Sequence, residues 1–392
     1  MSRAPLVVVG DVLLDREVLG TVDRLCPEAP VPVLAESEVL DRPGGAGLAA
    51  LFAGLAAGGD HAVTGSREHA APGRAAREVV LIAAVSADAA GDRIRELLAR
   101  AGVRLVEVPL LGPTPEKIRL RAGDHLLMRL DRGHGASGIG VAPPAAFAAI
   151  HDAGAILVSD YGRGVTAHPE LRAALTERAQ CVPVVWDPHP RGGHPVPATR
   201  LVTPNRSEAA GFVAATLSAA HSGEWPLATT LPAHPTNGNG NGHANGNGRT
   251  NGHGKANGAG ISELADAAGM AVRLRRHWGA NAVSVTLAER GAVLSDGVHP
   301  PLLVPAPFAA RGDSCGAGDR FAGAAVAALA EGSTVLDAVL GGVTAATAYV
   351  AAGGALALCP ERHEQAEAAL IDTTSRKLWP QERSETTTSG KL

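Results

Sequence analysis

The sequence predicts an α/β fold, and three observations carry that expectation. Short apolar runs of strand length recur at residues 6–9, 79–85, 155–158, 182–186 and 201–203. From residue 155 onward each run delivers polar residues at its C-terminal end: Ser159-Asp160-Tyr161, then Asp187-Pro188, then Pro204-Asn205-Arg206-Ser207-Glu208. Two glycine-rich turns, at 42–47 and 311–318, each feed an alanine-rich helix former.

Composition sets the outer limits. With 392 residues, 45% hydrophobic and 19% charged, the chain can bury one large α/β core or two modest ones. Aromatic residues make up only 3%, so Ala, Val and Leu must fill that core. A formal charge of -4 without a basic stripe argues against a nucleic-acid partner. Cys26, Cys181, Cys315 and Cys359 form no C-x-x-C pair, which points away from a disulfide framework or zinc site and toward the cytoplasm. No signal-peptide pattern opens the chain, and no apolar run approaches the roughly 18 residues of a spanning helix.

Taken in order, the strand at 6–9 ends in Gly10-Asp11, placing Asp11 and Asp15 at the edge where open α/β sheets bind ligands. Residues 21–38 carry prolines at 27, 30 and 32 and suit an edge strand. The helix after Gly44-Gly45 has Leu48, Leu51, Phe52 and Leu55 on one stripe. Residues 61–77 read as a polar surface insertion, and a helix over 88–100 stops at Gly102 before a strand over 103–108. Period-two alternation over 113–131 predicts a hairpin with Lys117, Arg119 and Arg121 on one basic face. That face is either a solvated edge or a clamp for phosphate.

Asn-Gly repeats over 236–260 cannot bury apolar surface, so a disordered insertion is expected over about 216–260. The fold resumes with Ser262 as an N-cap, a helix to 277, strands at 282–287 and 292–294, and a helix capped by Thr334. Residues 361–392 read as a polar tail.

Residues 311–330, RGDSCGAGDRFAGAAVAALA, join a glycine-rich loop to a helix start, where free N–H groups attract anions. Asp319 at that junction makes sense if it handles a proton or a metal; the alternative is a simple N-cap. DSCGAGD (313–319) resembles the D-T-x-G-A-G-D signature of the ribokinase-like (PfkB) sugar kinases, with Ser314 in place of threonine. The resemblance implies Asp319 as base and Gly316, Ala317 and Gly318 as the anion hole, chemistry suited to phosphoryl transfer.

GDVLLDR, PEAPVPVL, RPGGA, PTPEKIRLRAGDHLLMRLD, VSDYGRG and TPNRSE together most resemble the D-glycero-D-manno-heptose 7-phosphate kinases. That likeness implies a three-layer, doubly wound kinase domain over 1–360, with a small β-sheet lid from about 12–41 and 113–131 that pairs two subunits. It implies ATP with Mg²⁺, with a monovalent cation as a further candidate, and phosphorylation of the anomeric hydroxyl of the heptose 7-phosphate. Asn205, Arg206, Ser207, Glu208, Thr286, Glu289, Gly291 and Asp313 would border the nucleotide, Glu208 meeting Mg²⁺ through water. Asp15, Gly44, Gly45, Lys117, Arg119 and Asp160 would face the sugar phosphate. Leu48 stands where the family usually has an Asn for the sugar. No H-x-G-H motif of the adenylyltransferase fused to many relatives occurs, so phosphorylation alone is expected. The competing readings are a kinase of another sugar and a non-catalytic sugar-phosphate-binding homologue.

Overall fold

Two hydrophobic cores claim alternate residues of β1 (Leu6–Gly10): Leu6 and Val8 enter one, Val7 and Val9 the other, and all four are fully buried. A strand buried on both faces belongs inside a parallel sheet covered by helices on each side. The computed structural model, which describes residues 3–58, 77–123, 125–133, 138–222 and 256–355, has that architecture.

The chain continues through β2 (Val12–Leu25), β3 (Pro32–Gly45), α1 (Ala46–Ala56), β4 (Val79–Val85), α2 (Ala89–Arg100), β5 (Val103–Leu111), β6 (Glu116–Ala122), β7 (His125–Arg132), β8 (Gly138–Ile139) and α3 (Pro144–Asp152). It then forms β9 (Ala155–Ser159), α4 (Pro169–Arg178), β10 (Val184–Asp187), β11 (Leu201–Val202), α5 (Arg206–Ser222) and α6 (Ala256–Trp278). The last elements are β12 (Val283–Thr286), β13 (Ala292–Ser295), β14 (Leu302–Val304), α7 (Ala317–Ala330) and α8 (Val335–Ala351).

Among the described residues, ten strands form one sheet in the order β14-β13-β12-β11-β10-β9-β1-β4-β5-β8. The strands from β12 across to β5 pair in parallel, while β13, β14 and β8 add antiparallel edges. Helices α1, α2, α7 and α8 cover one face and α3 to α6 the other, giving three layers. Strand order reverses at β1, with β4 and β5 on one side and β9 to β12 on the other. The crevice beyond the C-terminal ends of β1 and β9 is therefore where a ligand belongs.

A second, four-stranded sheet, β3-β2-β6-β7, rises from this point because β2 starts two residues after β1 and β3 runs straight into α1. The proline-bearing stretch 21–38, expected as a single edge strand, divides into the end of β2, a turn that carries Pro27 and Pro30, and the start of β3, which is the sheet's edge strand. α6 starts at Ala256 rather than beside Ser262, and α5 persists to Ser222, so both described flanks of the expected disordered insertion are helical. Composition hid this, because helix propensity is a weak prior that tertiary context overrides. Residues 223–255, the 61–76 part of the first insertion and the 361–392 tail lie outside the described residues. The short strands β8 and β14, and helices α3 and α4, were not anticipated; two or three residues carry too little alternation to read. Among the described residues no helix is long and apolar enough to cross a membrane.

Candidate active site

The residues just past β1 and β9 lock into one another. Asp11, buried beyond β1, accepts hydrogen bonds from the backbone N–H groups of Tyr161 (3.1 Å), Arg163 (2.9 Å) and Val165 (3.1 Å). Asp160 accepts one from Gly162 at 2.7 Å. Burial, and then the neighbouring Asp11 carboxylate, push the Asp160 pKa up to about 7. Asp160, expected at the sugar, is thus buried and engaged in shaping the 161–165 turn.

The lid brings its charges to the same place. Register aligns Asp15 with Lys117 and Glu17 with Arg119. Arg119 Nη1 lies 3.1 Å from Asp15 and 3.4 Å from Glu17, Arg121 Nε donates to Glu17 at 2.9 Å, and buried Arg42 reaches Glu17 at 3.3 Å. Arg119 also reaches Cys315 Sγ at 3.5 Å, and Arg121 lies 3.9 Å from Asp313. The hairpin's basic face is consequently neutralised at Arg119 and Arg121, and Arg119 acts as a strut between lid and loop. Glu17 and Arg42 escaped the sequence reading because a charged strand residue ordinarily faces water. Gly44 and Gly45 are explained by crowding: a Cβ on Gly44 would stand 2.5 Å from Asp15 Oδ2, and Gly45, at φ +60°, has the Asp11 carbonyl 2.5 Å from that position.

The α7 loop meets these groups from the opposite side. Gly316 is the N-cap, at φ 86°, and a Cβ there would fall 2.8 Å from Leu48 Cδ2. Leu48, Phe52 and Tyr349 form an apolar cluster under the loop, and Tyr349 donates to the Cys315 carbonyl at 2.7 Å. Leu48 therefore supports the loop. Asp313 accepts from the Cys315 amide at 2.9 Å and lies 3.9 Å from Arg121 of the lid. Ala317 N–H donates to Ser314 O at 3.0 Å, so Ala317 drops out of the expected anion hole. The amides of Gly316, Gly318 and Asp319 donate to no described group and remain available.

Asp319 is 5% exposed and does not cap the helix. The Tyr161 hydroxyl donates to its two oxygens, 2.9 and 3.0 Å away. Burial pushes the Asp319 pKa up to about 7; the Tyr161 bond and Lys117 pull it down, and Asp15 pushes it further up. Tyr161, absent from the expected set, is the residue that ties the β9 turn to α7. Its ring also lies beneath Lys117, with the Lys117 Nζ 5.6 Å from the ring centroid.

Beyond the end of β11, Asn205 and Glu208 cap α5 reciprocally, through Glu208 N–H to Asn205 Oδ1 (3.0 Å) and Asn205 N–H to Glu208 Oε2 (2.8 Å). Ser207 donates to Asn205 Oδ1, Arg206 pairs with Glu263 at 2.7 Å, and Thr286 bridges to Asn205 at the end of β12. Glu289 is exposed in the following turn, and buried Gly291 holds φ 92°. Asp187, half-buried at the end of β10, has its pKa pushed well above the ordinary carboxylate value by desolvation, then by Glu208 and Asp319. Those couplings link Asp187 to both Glu208 and Asp319, while Asp15, Lys117 and Tyr161 act on Asp319.

A cavity of about 740 Å³ opens beside this group, between the lid and the turns after β9 and β10, lined in part by Lys117, Arg129, Arg163, His189 and Arg191.

Comparison with known proteins agrees with this geometry. The pfkB family carbohydrate kinase profile matches residues 255–362. The bifunctional protein HldE of Streptomyces coelicolor is 47% identical over 372 residues, covering 95% of this chain and 65% of the relative. HldE of Azorhizobium caulinodans is 32% identical over 358 residues, covering 89% and 61%. The chain thus spans less than two thirds of the length of these relatives. Among solved structures, Arabidopsis thaliana ribokinase complexed with ribose and ATP aligns with a TM-score of 0.56 at 17% identity, covering 92% of this chain and 96% of that one. Phosphofructokinase-2 from Escherichia coli with fructose-6-phosphate gives 0.55 at 18%, covering 91% and 97%. Sequence likeness along nearly the whole chain, together with the shared three-layer fold, makes this protein a member of the pfkB family of carbohydrate kinases, similar to HldE.

Proposed function

We propose that the chain phosphorylates the anomeric hydroxyl of D-glycero-D-manno-heptose 7-phosphate with ATP, giving the 1,7-bisphosphate, a step toward a nucleotide-activated heptose. The observation that carries this reading is Asp319: a buried carboxylate, poised near pH 7, already hydrogen-bonded to an alcohol-type oxygen at a helix start with three free amides. A sugar hydroxyl in place of the Tyr161 phenol would give its proton to Asp319. Its oxygen then bonds to the γ-phosphorus, the bond from that phosphorus to the β–γ bridging oxygen breaks, and ADP leaves. The amides of Gly316, Gly318 and Asp319 neutralise charge on the moving phosphoryl group.

Mg²⁺ is ordinarily held by one or two carboxylates together with substrate phosphates. Glu208 and Asp187 fit that role, since the Glu208 charge raises the cost of ionising Asp187 and a cation would relieve it. When bound, the ion would offset phosphate charge. The remaining expected nucleotide contacts, Ser207, Thr286 and Gly291, are proposed to border the ATP.

The test is a coupled ADP-release assay with ATP across heptose 7-phosphate, phosphate-free heptose, ribose and fructose 6-phosphate. Selective turnover of heptose 7-phosphate is expected; a preference for ribose would overturn the choice of substrate.

A further inference from the structure

We infer that the cavity beside Tyr161 is a subsite for the phosphate the substrate already carries, and that Arg163, Arg191 and Lys117 bind it with His189 as a neutral donor. This deepens the proposed function and rests on it.

The argument starts from unbalanced charge. Of the acids lining the cavity, Asp11 is occupied by three backbone amides and Asp131 pairs with Arg129 at 3.0 Å. Against these two carboxylates the lining carries four cations, Lys117, Arg129, Arg163 and Arg191. Arg163 donates to the Gly133 carbonyl at 3.2 Å and feels the Asp11 and Asp131 carboxylates. Four cations facing two carboxylates leave an excess of positive charge in the recess, and a dianion offsets it where a neutral sugar end cannot.

His189 reports the same field. Burial, then Arg191, Lys117 and Arg163, hold its pKa down to about 4, so the ring is neutral near pH 7. Its Nδ1 accepts the Arg191 backbone N–H at 3.1 Å, which leaves the ring proton on Nε2 as a donor. Arg119, the other cation expected at the phosphate, is engaged by Asp15, Glu17 and Cys315.

Location links the cavity to the chemistry. Tyr161 places its hydroxyl on Asp319 and its ring beneath Lys117, with the His189 ring stacked 6.5 Å away. One substrate molecule can therefore present a hydroxyl to Asp319 while its distal phosphate lies in the cavity.

Calorimetry on the full chain tests this with heptose 7-phosphate and phosphate-free heptose as probes. Arg163→Gln and Arg191→Gln should each raise the Kd for heptose 7-phosphate about ten-fold or more, the usual worth of a charge-assisted hydrogen bond. Binding of phosphate-free heptose should not change, and Arg163→Lys should recover part of the loss. In the unaltered chain, inorganic phosphate should compete with heptose 7-phosphate, a reading that needs no variant to fold. Unchanged affinity in both Gln variants, equal losses for the two sugars, or no competition by phosphate would each overturn the subsite. If the reaction itself were misread, no sugar would release ADP while the phosphate-dependent binding difference persisted. If only the subsite were wrong, ADP release would proceed with binding indifferent to Arg163 and Arg191.

Discussion

Asp319 shows how burial sets a residue's chemistry. Its carboxyl titrates near 7 because the fold removes water from it, and a base is most useful when its pKa lies near the working pH. Asp319→Asn should lower kcat by about two to four orders of magnitude while ATP still binds, since general-base catalysis typically contributes that much. In the parent chain kcat/KM should rise with pH through about 7 as Asp319 ionises. Stability moves the other way. The folded value lies above the ordinary 3.8, so the folded chain keeps a proton that the unfolded chain has shed. The stabilisation is full below about 3.8 and is lost as pH rises through about 7. Thermal melts of the Asn variant should therefore gain on the parent above pH 7. A variant that melts lower at every pH would show that Asp319 is held ionised by contacts outweighing its burial.

At the scale of elements, the lid is a charged strand cluster turned inward. Glu17 receives Arg42, Arg119 and Arg121 from β3 and β6, and Arg119 and Arg121 carry that network across to the loop before α7. Breaking a buried network by removing one partner typically costs about 3–5 kcal/mol, because the remaining charges are left uncompensated. Glu17→Ala should lower the denaturation midpoint accordingly and raise KM for the sugar, since Asp15 would then hold Arg119 alone. A midpoint unchanged by Glu17→Ala would mean that water already screens these groups. The β6–β7 hairpin itself was readable from alternation and its Ala-Gly-Asp turn. The neutralisation of its basic face was not, because the acids arrive from β2, about a hundred residues earlier.

For the whole molecule, we propose a homodimer through the outer face of the lid. Alternation that turns Glu17, Arg119 and Arg129 toward the site turns Val18, Leu120, Met128 and Leu130 the other way, and Met128 is 62% exposed and Leu130 41%. An apolar sheet face of this kind is a common pairing surface. Met128→Asp combined with Leu130→Asp should convert a dimer to a monomer in sedimentation equilibrium; an unchanged mass would place any association elsewhere. The parallel sheet was legible in sequence because strands buried on both faces must be continuous apolar runs.

By itself the sequence determined the apolar strands of the parallel sheet, which glycine-rich turns feed helices, and that Asp319 stands at a helix start. Those properties are local, governed by periodicity and by what lies within a few residues. Only the tertiary structure decided that Tyr161 meets Asp319, that Arg119 is paired, that Leu48 supports a loop, and that Arg163 and Arg191 share a recess with Lys117. Each of these depends on charges or packing surfaces from distant segments converging where strand order reverses at β1, and no spacing within one segment records such a meeting.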